Sequence, residues 1–184
     1  VEVWSEKGTV RGLLAPVLET YGVTFRVLHG FASATTVYEV AVETADLRRP
    51  LVALYVGDYD PSGLYMSEVD LPQRLWRYGA RVHLERVALT AADVRRGDLP
   101  WFPAASKQQD PRYRWYRERY GDRCWEIDAL NPVALRQRVE QHIAARLDWE
   151  AWERCAQVEQ AELESLQTVL RHWPALTSHP VFPG

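Results

Sequence analysis

Apolar and polar residues alternate along the first hundred positions in a pattern that predicts strands separated by helices. Short runs rich in Val, Leu and aromatic residues have the length of strands, and stretches with apolar residues three or four apart have the spacing of helices. The pattern predicts strands at 1–4, 24–28, 51–56 and 82–89, and helices at 12–21, 33–44 and 64–78. The apolar run at 51–56 is unbroken, which is typical of a strand buried on both faces. This order predicts an α/β fold with a mostly parallel, four-stranded sheet flanked by helices.

The second half of the chain has a different character. A connection punctuated by Pro100 and Pro103 leads into an aromatic and basic segment at 107–123. Asn131 and Pro132 predict the start of a helix that runs to about Arg146. One or two further helices are expected between 147 and 172, bounded by Pro174, before an irregular tail. The expected division is therefore a core at 1–95 and, at 96–184, a connection, the basic segment and a helical extension packed on that core.

Composition narrows the class of protein. Of 184 residues, 47% are hydrophobic and 26% charged, a balance typical of globular domains, and no apolar run approaches the roughly 20 residues that cross a bilayer. The net charge is −3, so any grip on nucleic acid must come from a local patch or through metal ions. The lack of such an apolar run predicts no membrane partner. Cys124 and Cys155 have neither metal-ligand spacing nor the spacing of a disulfide framework, which predicts a cytoplasmic location.

The most informative motif is Gly57-Asp58-Tyr59-Asp60-Pro61-Ser62-Gly63, directly after the apolar strand. Ligands of open α/β sheets bind beyond the carboxyl ends of the strands, which is where both carboxylates lie. Two carboxylates this close repel each other, and a hard divalent cation such as Mg²⁺ relieves that cost. Glu6 stands just past the first strand, so it faces the pair if strands one and three are neighbours. Three such carboxylates could hold one or two Mg²⁺ ions for phosphoryl transfer.

The acidic motif has two other interpretations. An acidic turn after a strand can be a solvated turn with Asx hydrogen bonds, and this alternative stays open. A calcium-binding EF-hand loop is rejected, because position 12 counted from Asp58 is Val69 and not the bidentate Glu.

A lone Glu after a first strand, followed by Asp-x-Asp after the third, resembles the Toprim fold of topoisomerases, primases and nucleases. The string from Asp58 to Gly63 is most similar to the motif of the topoisomerase VI A subunit branch, as is the stretch Arg86–Val94. The resemblance covers about residues 1–95. It implies that Glu6, Asp58 and Asp60 are catalytic and bind Mg²⁺, or Mn²⁺, with Glu6 also a general acid and base.

The same resemblance implies a Mg²⁺-dependent protein that cleaves phosphodiester bonds of DNA, as a nuclease or by a topoisomerase-type reaction; RNA stays open. In the topoisomerase VI branch the nucleophilic tyrosine lies on a winged-helix module upstream, and here no tyrosine matches by motif. We therefore expect either a stand-alone Toprim protein or part of a longer one with an upstream winged-helix module or a partner subunit. The alternative function is a non-catalytic Toprim module that binds DNA or a subunit.

The segment 107–123 is the one clear basic patch of the sequence, with a net charge of +3. Its arginines could contact phosphates and its aromatic residues could stack on bases. An amphipathic helix with a solvated basic face is the equally weighted alternative. The residues expected to contact nucleic acid are Lys107, Arg112, Arg114 and Arg117, together with Lys7 beside Glu6, which is otherwise a surface lysine.

Overall fold

The computed structural model of the protein describes residues 1–28 and 34–177, the last four of them as backbone alone. Ser33, the first residue of the helix predicted at 33–44, lies outside the described residues, as does the end of the predicted irregular tail, 178–184.

Four parallel strands form the central sheet, as predicted. They are β1 (Glu2–Ser5), β2 (Thr24–Val27), β3 (Leu51–Val56) and β4 (Val82–Ala88). Their order is β2-β1-β3-β4, so the chain steps outward from β1 in one direction and then from β3 in the other. A second sheet consists of two short antiparallel strands, β5 (Phe102–Pro103) and β6 (Arg123–Cys124).

Helices flank the central sheet and continue into the second half of the chain. The helices at the sheet are α1 (Thr9–Tyr21), α2 (Ala34–Ala45), α3 (Pro61–Tyr65), α4 (Leu71–Arg77) and α5 (Ala91–Arg96). Those that follow are α6 (Tyr113–Tyr120), α7 (Pro132–Ala144) and α8 (Trp149–Thr177).

The core surrounds β3. Its last four residues, Ala53–Val56, are fully buried, and their side chains alternate between the two faces of the sheet. On one face Tyr55 packs with Trp4, Val37 and Met66. The unbroken apolar run at 51–56 therefore does form a strand covered on both sides.

The helix predicted at 64–78 differs from the prediction. It begins earlier, at Pro61, because Asp60 accepts a hydrogen bond from the backbone N–H of Gly63 and so caps the first turn. It is interrupted at Met66–Asp70 by a π-helical turn, in which the N–H of Leu71 bonds to the carbonyl of Met66. Pro72, which has no N–H to continue the regular ladder, follows at once.

The end of the last helix also differs from the prediction. A single helix, α8, continues past Pro174 to Thr177. A proline so near a helix end removes only one backbone hydrogen bond.

The chain divides into two compact units, Val1–Ala145 and Arg146–Gly184. The first contains the Pro-punctuated connection, the basic segment and α7 as well as the α/β sheet. The second is described as α8 and the residues just before it. Among the described helices, none combines the length and apolar character needed to cross a membrane.

Candidate functional site

The acidic residues predicted to form a site come together at one edge of the sheet. β1 pairs with β3 in parallel, with Trp4 opposite Tyr55, so both strands end at the same edge. Glu6 follows β1 and the Asp58–Asp60 turn follows β3. The negative charges of Asp60 and Asp58 both raise the pKa of Glu6, so the three carboxylates are close enough to affect one another.

Asp60 is the most deeply buried of the three carboxylates. Its backbone is extended, with φ −144° and ψ 175°, as expected of a residue before proline. Its side chain is buried; Oδ1 accepts from the N–H of Gly63 at 2.8 Å and Oδ2 lies 3.2 Å from Nζ of Lys107. One carboxylate oxygen of Asp60 thus caps the first turn of α3, and the other contacts the basic segment.

A glycine and an arginine hold the acidic turn in shape. A Cβ at Gly63 would lie 2.4 Å from the carbonyl oxygen of Asp58, so only glycine allows this close approach. The guanidinium of Arg86, on β4, donates to the carbonyls of Gly57 and Asp58 at 3.1 Å and of Gly63 at 2.6 Å. It also donates to the hydroxyl of Ser67 in the π-helical turn. Arg86 therefore fixes the turn through its backbone and leaves the carboxylates free for other partners.

Asp58 is held by two donors from distant parts of the sequence. Its Oδ1 accepts from the backbone N–H of Ile127 at 2.7 Å and lies 3.1 Å from Nζ of Lys7. Burial raises the pKa of Asp58, and these two donors offset only part of that effect. For Lys7 burial alone would lower the pKa, but the charge of Asp58 outweighs it and leaves the pKa above its usual value.

The carboxyl group of Glu6 has a strongly shifted pKa. Burial, followed by the charges of Asp60 and Asp58, raises the pKa of Glu6 from 4.5 to about 7. Its Oε1 is buried and, within the described part of the chain, has no hydrogen-bond partner. A buried carboxylate oxygen without a donor is costly, so the geometry favours a proton or a cation there.

The basic residues predicted to contact nucleic acid fall into two groups. Lys107 reaches Asp60, and Arg112 donates to the hydroxyl of Ser62 at 3.2 Å, so both lie at the acidic turn. Arg114 and Arg117 do not: they are exposed along α6 and pair with Glu118 and Asp122. The amphipathic-helix interpretation of this segment also holds locally, because Tyr116 of α6 is fully buried while its arginines face outward.

Sequence reasoning missed the segment 123–128 and the role of Arg86. Trp125 exchanges two backbone hydrogen bonds with Tyr59, at 2.8 and 3.0 Å, and so brings Ile127 to Asp58. Nothing in the sequence predicts that residues 123–128 pack against the acidic turn, because this contact depends on a two-residue strand, β6. For Arg86 a signal existed, because a charged residue stands on the strand face shared with Val82, Leu84 and Ala88.

The donor chemistry of the site fits a hard divalent cation. Carboxylate oxygens are the ligands that Mg²⁺ prefers, and the orphaned Glu6 oxygen lies beside two further carboxylates. In the described conformation Asp58 forms an ion pair with Lys7, and Asp60 forms one with Lys107. Among the described residues, no group of three or more Asp, Glu, His or Cys side chains is already arranged to coordinate a metal ion. If a cation binds, Glu6, Asp58 and Asp60 are the residues that would hold it.

Comparisons with protein-family models, with curated proteins and with solved structures found no match. Function is therefore inferred from the residues at the sheet edge and their contacts.

Proposed function

We propose that this protein is a Mg²⁺-dependent Toprim-type enzyme that cleaves phosphodiester bonds of DNA. The observation that carries the proposal is the convergence of Glu6, Asp58 and Asp60 at the ends of two adjacent parallel strands, with the pKa of Glu6 raised to about 7. Perturbed carboxylates grouped at the carboxyl edge of an α/β sheet are a mark of functional sites. The strand order β2-β1-β3-β4 supports the Toprim assignment, because it makes β1 and β3 neighbours.

Each residue has a role that its contacts suit. A bound Mg²⁺ would supply Lewis acidity to the phosphate oxygens and lower the pKa of water. Glu6, with a pKa near neutrality, can take a proton from the attacking group and return one to the leaving oxygen. Lys7 and Lys107 lie against the carboxylates and can bind the oxygens of a phosphate in the same place.

Hydrolysis by water suits the chain better than attack by Tyr55, Tyr59 or Tyr116. Tyr55, Tyr59 and Tyr116 are buried, and burial raises the pKa of all three hydroxyls. A neutral, inaccessible phenol is a poor nucleophile. A topoisomerase-type reaction would need a tyrosine from elsewhere, such as an upstream winged-helix module or a partner subunit.

The proposal is tested with supercoiled plasmid DNA incubated with Mg²⁺ or Mn²⁺. We expect nicked or linear product from the wild-type protein, no product in EDTA, and a rate for Glu6→Gln roughly 10² to 10⁴ times lower. Asp58→Asn should lose activity as well. Asp46→Asn is the matched control, because Asp46 is an exposed aspartate that follows α2, outside the acidic turn. No cleavage with either metal, or equal cleavage by Glu6→Gln, would contradict the proposal.

The ion pairs of the site favour one second candidate, a non-catalytic module that holds DNA or a partner subunit. Asp58 and Asp60 are each paired with a lysine, so their charge is partly balanced by the protein itself. This candidate predicts DNA binding in EDTA that weakens steeply with salt and survives Asp58→Ala. Loss of binding in Asp58→Ala, with binding retained in the Arg112→Ala/Arg114→Ala double variant, rejects it.

A further inference from the structure

The edge of the sheet that carries Glu6, Asp58 and Asp60 is called the acidic edge below. A small cavity adjoins it and has no part in the chemistry proposed above. It has a volume of about 260 Å³ and is lined by Trp101, Phe102, Glu126, Asp128 and their neighbours. Trp101 is a large apolar side chain, yet 49% of its surface is exposed. The guanidinium of Arg123 lies over its ring at 4.5 Å from the centroid, so the indole already stacks with one planar group.

The cavity is tied to the acidic site by backbone pairing and by one shared lysine. Trp101 precedes β5, β5 pairs with β6, and Trp125 after β6 pairs with Tyr59 between the two aspartates. Glu126 and Asp128 of the cavity wall lie 3.8 and 3.4 Å from Nζ of Lys7, the same atom that contacts Asp58. Lys7 therefore links the wall of the cavity to the carboxylate of Asp58.

The polarity of the wall selects the kind of group that fits. Glu126 and Asp128 repel a phosphate but accept hydrogen bonds from N–H groups. The group that fits is a flat, neutral ring that carries N–H donors and can stack on an aromatic side chain. A nucleobase has these properties. In a duplex that ring is stacked and paired, so it is available only in a single strand or when flipped out.

We propose that Trp101 is a stacking platform for one unpaired base next to the phosphate bound at the acidic edge. The protein is then selective for single-stranded or locally opened nucleic acid. This inference deepens the proposed function and rests on it for the position of the phosphate. The base stacks on the face of Trp101 turned away from Arg123, and Glu126 or Asp128 accepts from its N–H groups.

The test measures binding in the presence of Ca²⁺, which carboxylate oxygens also bind, and gel electrophoresis of the labelled strand checks that no cleavage has occurred. Fluorescence anisotropy is recorded with an end-labelled single strand of mixed sequence and with its blunt duplex, for the wild type, Trp101→Ala and Trp101→Phe. We expect wild type to prefer the single strand and Trp101→Ala to weaken that binding roughly 5- to 150-fold. Duplex binding should change little, and Trp101→Phe should restore most of the loss. Should Trp101→Ala fail to fold, Trp101→Leu removes the aromatic plane and keeps the apolar bulk.

Trp76→Ala is the matched control, because Trp76 on α4 is 84% exposed and has no part in the cavity. An unchanged single-strand affinity in Trp101→Ala, or an equal loss in Trp76→Ala, overturns the inference. So does an equal loss on duplex and single strand, which marks a merely structural tryptophan. If plasmid cleavage is never seen but Trp101→Ala loses single-strand binding, the platform stands and the enzymatic proposal fails. If the wild type cleaves plasmid and Trp101→Ala still binds the single strand normally, the enzymatic proposal stands and the platform is rejected.

Discussion

At the scale of single residues, the acidic edge is a place where chemistry and stability oppose each other. Glu6 is desolvated beside two other carboxylates, and a carboxyl group in those surroundings favours its proton. Between the ordinary pKa of 4.5 and its value of about 7, the folded protein holds this proton more tightly than the unfolded chain does. The contribution of protonated Glu6 to the free energy of unfolding is therefore fully present below pH 4.5 and is lost as the pH rises through 7.

The variant Glu6→Gln removes this titration and should stabilise the metal-free protein. In EDTA at pH 8 we expect its free energy of unfolding to exceed that of wild type by roughly 2–3 kcal/mol. At pH 5 the difference should be much smaller, since Glu6 is then protonated in the folded state. Urea unfolding at both pH values, followed by circular dichroism, measures the effect. A Glu6→Gln variant equally or less stable than wild type at pH 8 would show that Glu6 is not held in a costly ionised state.

At the scale of elements, a buried ion pair joins α5 to α7. Asp93 closes a capping box with Thr90 at the start of α5, and Arg138 of α7 grips both its oxygens at 2.7 Å. Burial alone would raise the pKa of Asp93, but the hydrogen bonds from Arg138 and Thr90 outweigh it and leave the pKa below its usual value. The pair connects the helix after β4 to the one that packs against α1.

Replacing Asp93 by Asn should destabilise the protein at neutral pH and progressively less in acid. The loss at pH 7 should be about 2–4 kcal/mol, because a half-buried arginine is left without its carboxylate. Since the pKa of Asp93 is depressed in the folded protein, its contribution is present above pH 3.8 and disappears as the pH falls further. Urea titrations from pH 7 to pH 3 measure the difference.

Asp98→Asn is the control for that experiment, because Asp98 is an exposed aspartate paired with Arg96. It should change stability by less than about 0.5 kcal/mol at any of these pH values. A loss in Asp93→Asn that stays constant down to pH 3 would show that the capping hydrogen bonds, and not the charge, carry its effect.

Local patterns in the sequence were enough to predict the sheet and the position of Glu6, Asp58 and Asp60 at its edge. The features that the sequence did not predict depend on contacts between residues far apart in the chain. The strand at 51–56 was predictable because burial on both faces demands an unbroken apolar run, and the place of Asp58 and Asp60 follows from the end of that strand. The hydrogen bond from Ile127 to Asp58 spans 69 positions and depends on the two-residue strand β6. Such a short element leaves no periodicity to detect. The early start of α3 depends on the cap at Asp60, whose side chain also serves the candidate site.

At the scale of the whole molecule, the two compact units differ sharply in how much surface they bury. In the first unit, β3 lies in the core, with Ala53–Val56 inaccessible to solvent. In the second unit, every residue of α8 from 153 to 173 is exposed. Its apolar residues Val158, Leu163, Leu166 and Leu170 are 48–70% exposed. A helix gains most of its stability from burying such a face, and without that burial even a long helix is marginal in water.

Amide hydrogen exchange should separate the two units. In dilute protein we expect the amides of β3 to exchange only on global unfolding, while those of 153–173 exchange orders of magnitude faster through local opening. Mass spectrometry of peptic fragments at several protein concentrations measures both regions in one experiment. Protection of 153–173 that rises with concentration would show that the apolar face of α8 is covered by a second copy of the chain. Protection equal to that of β3 at every concentration would contradict the expectation, because it requires burial of α8 within a single chain.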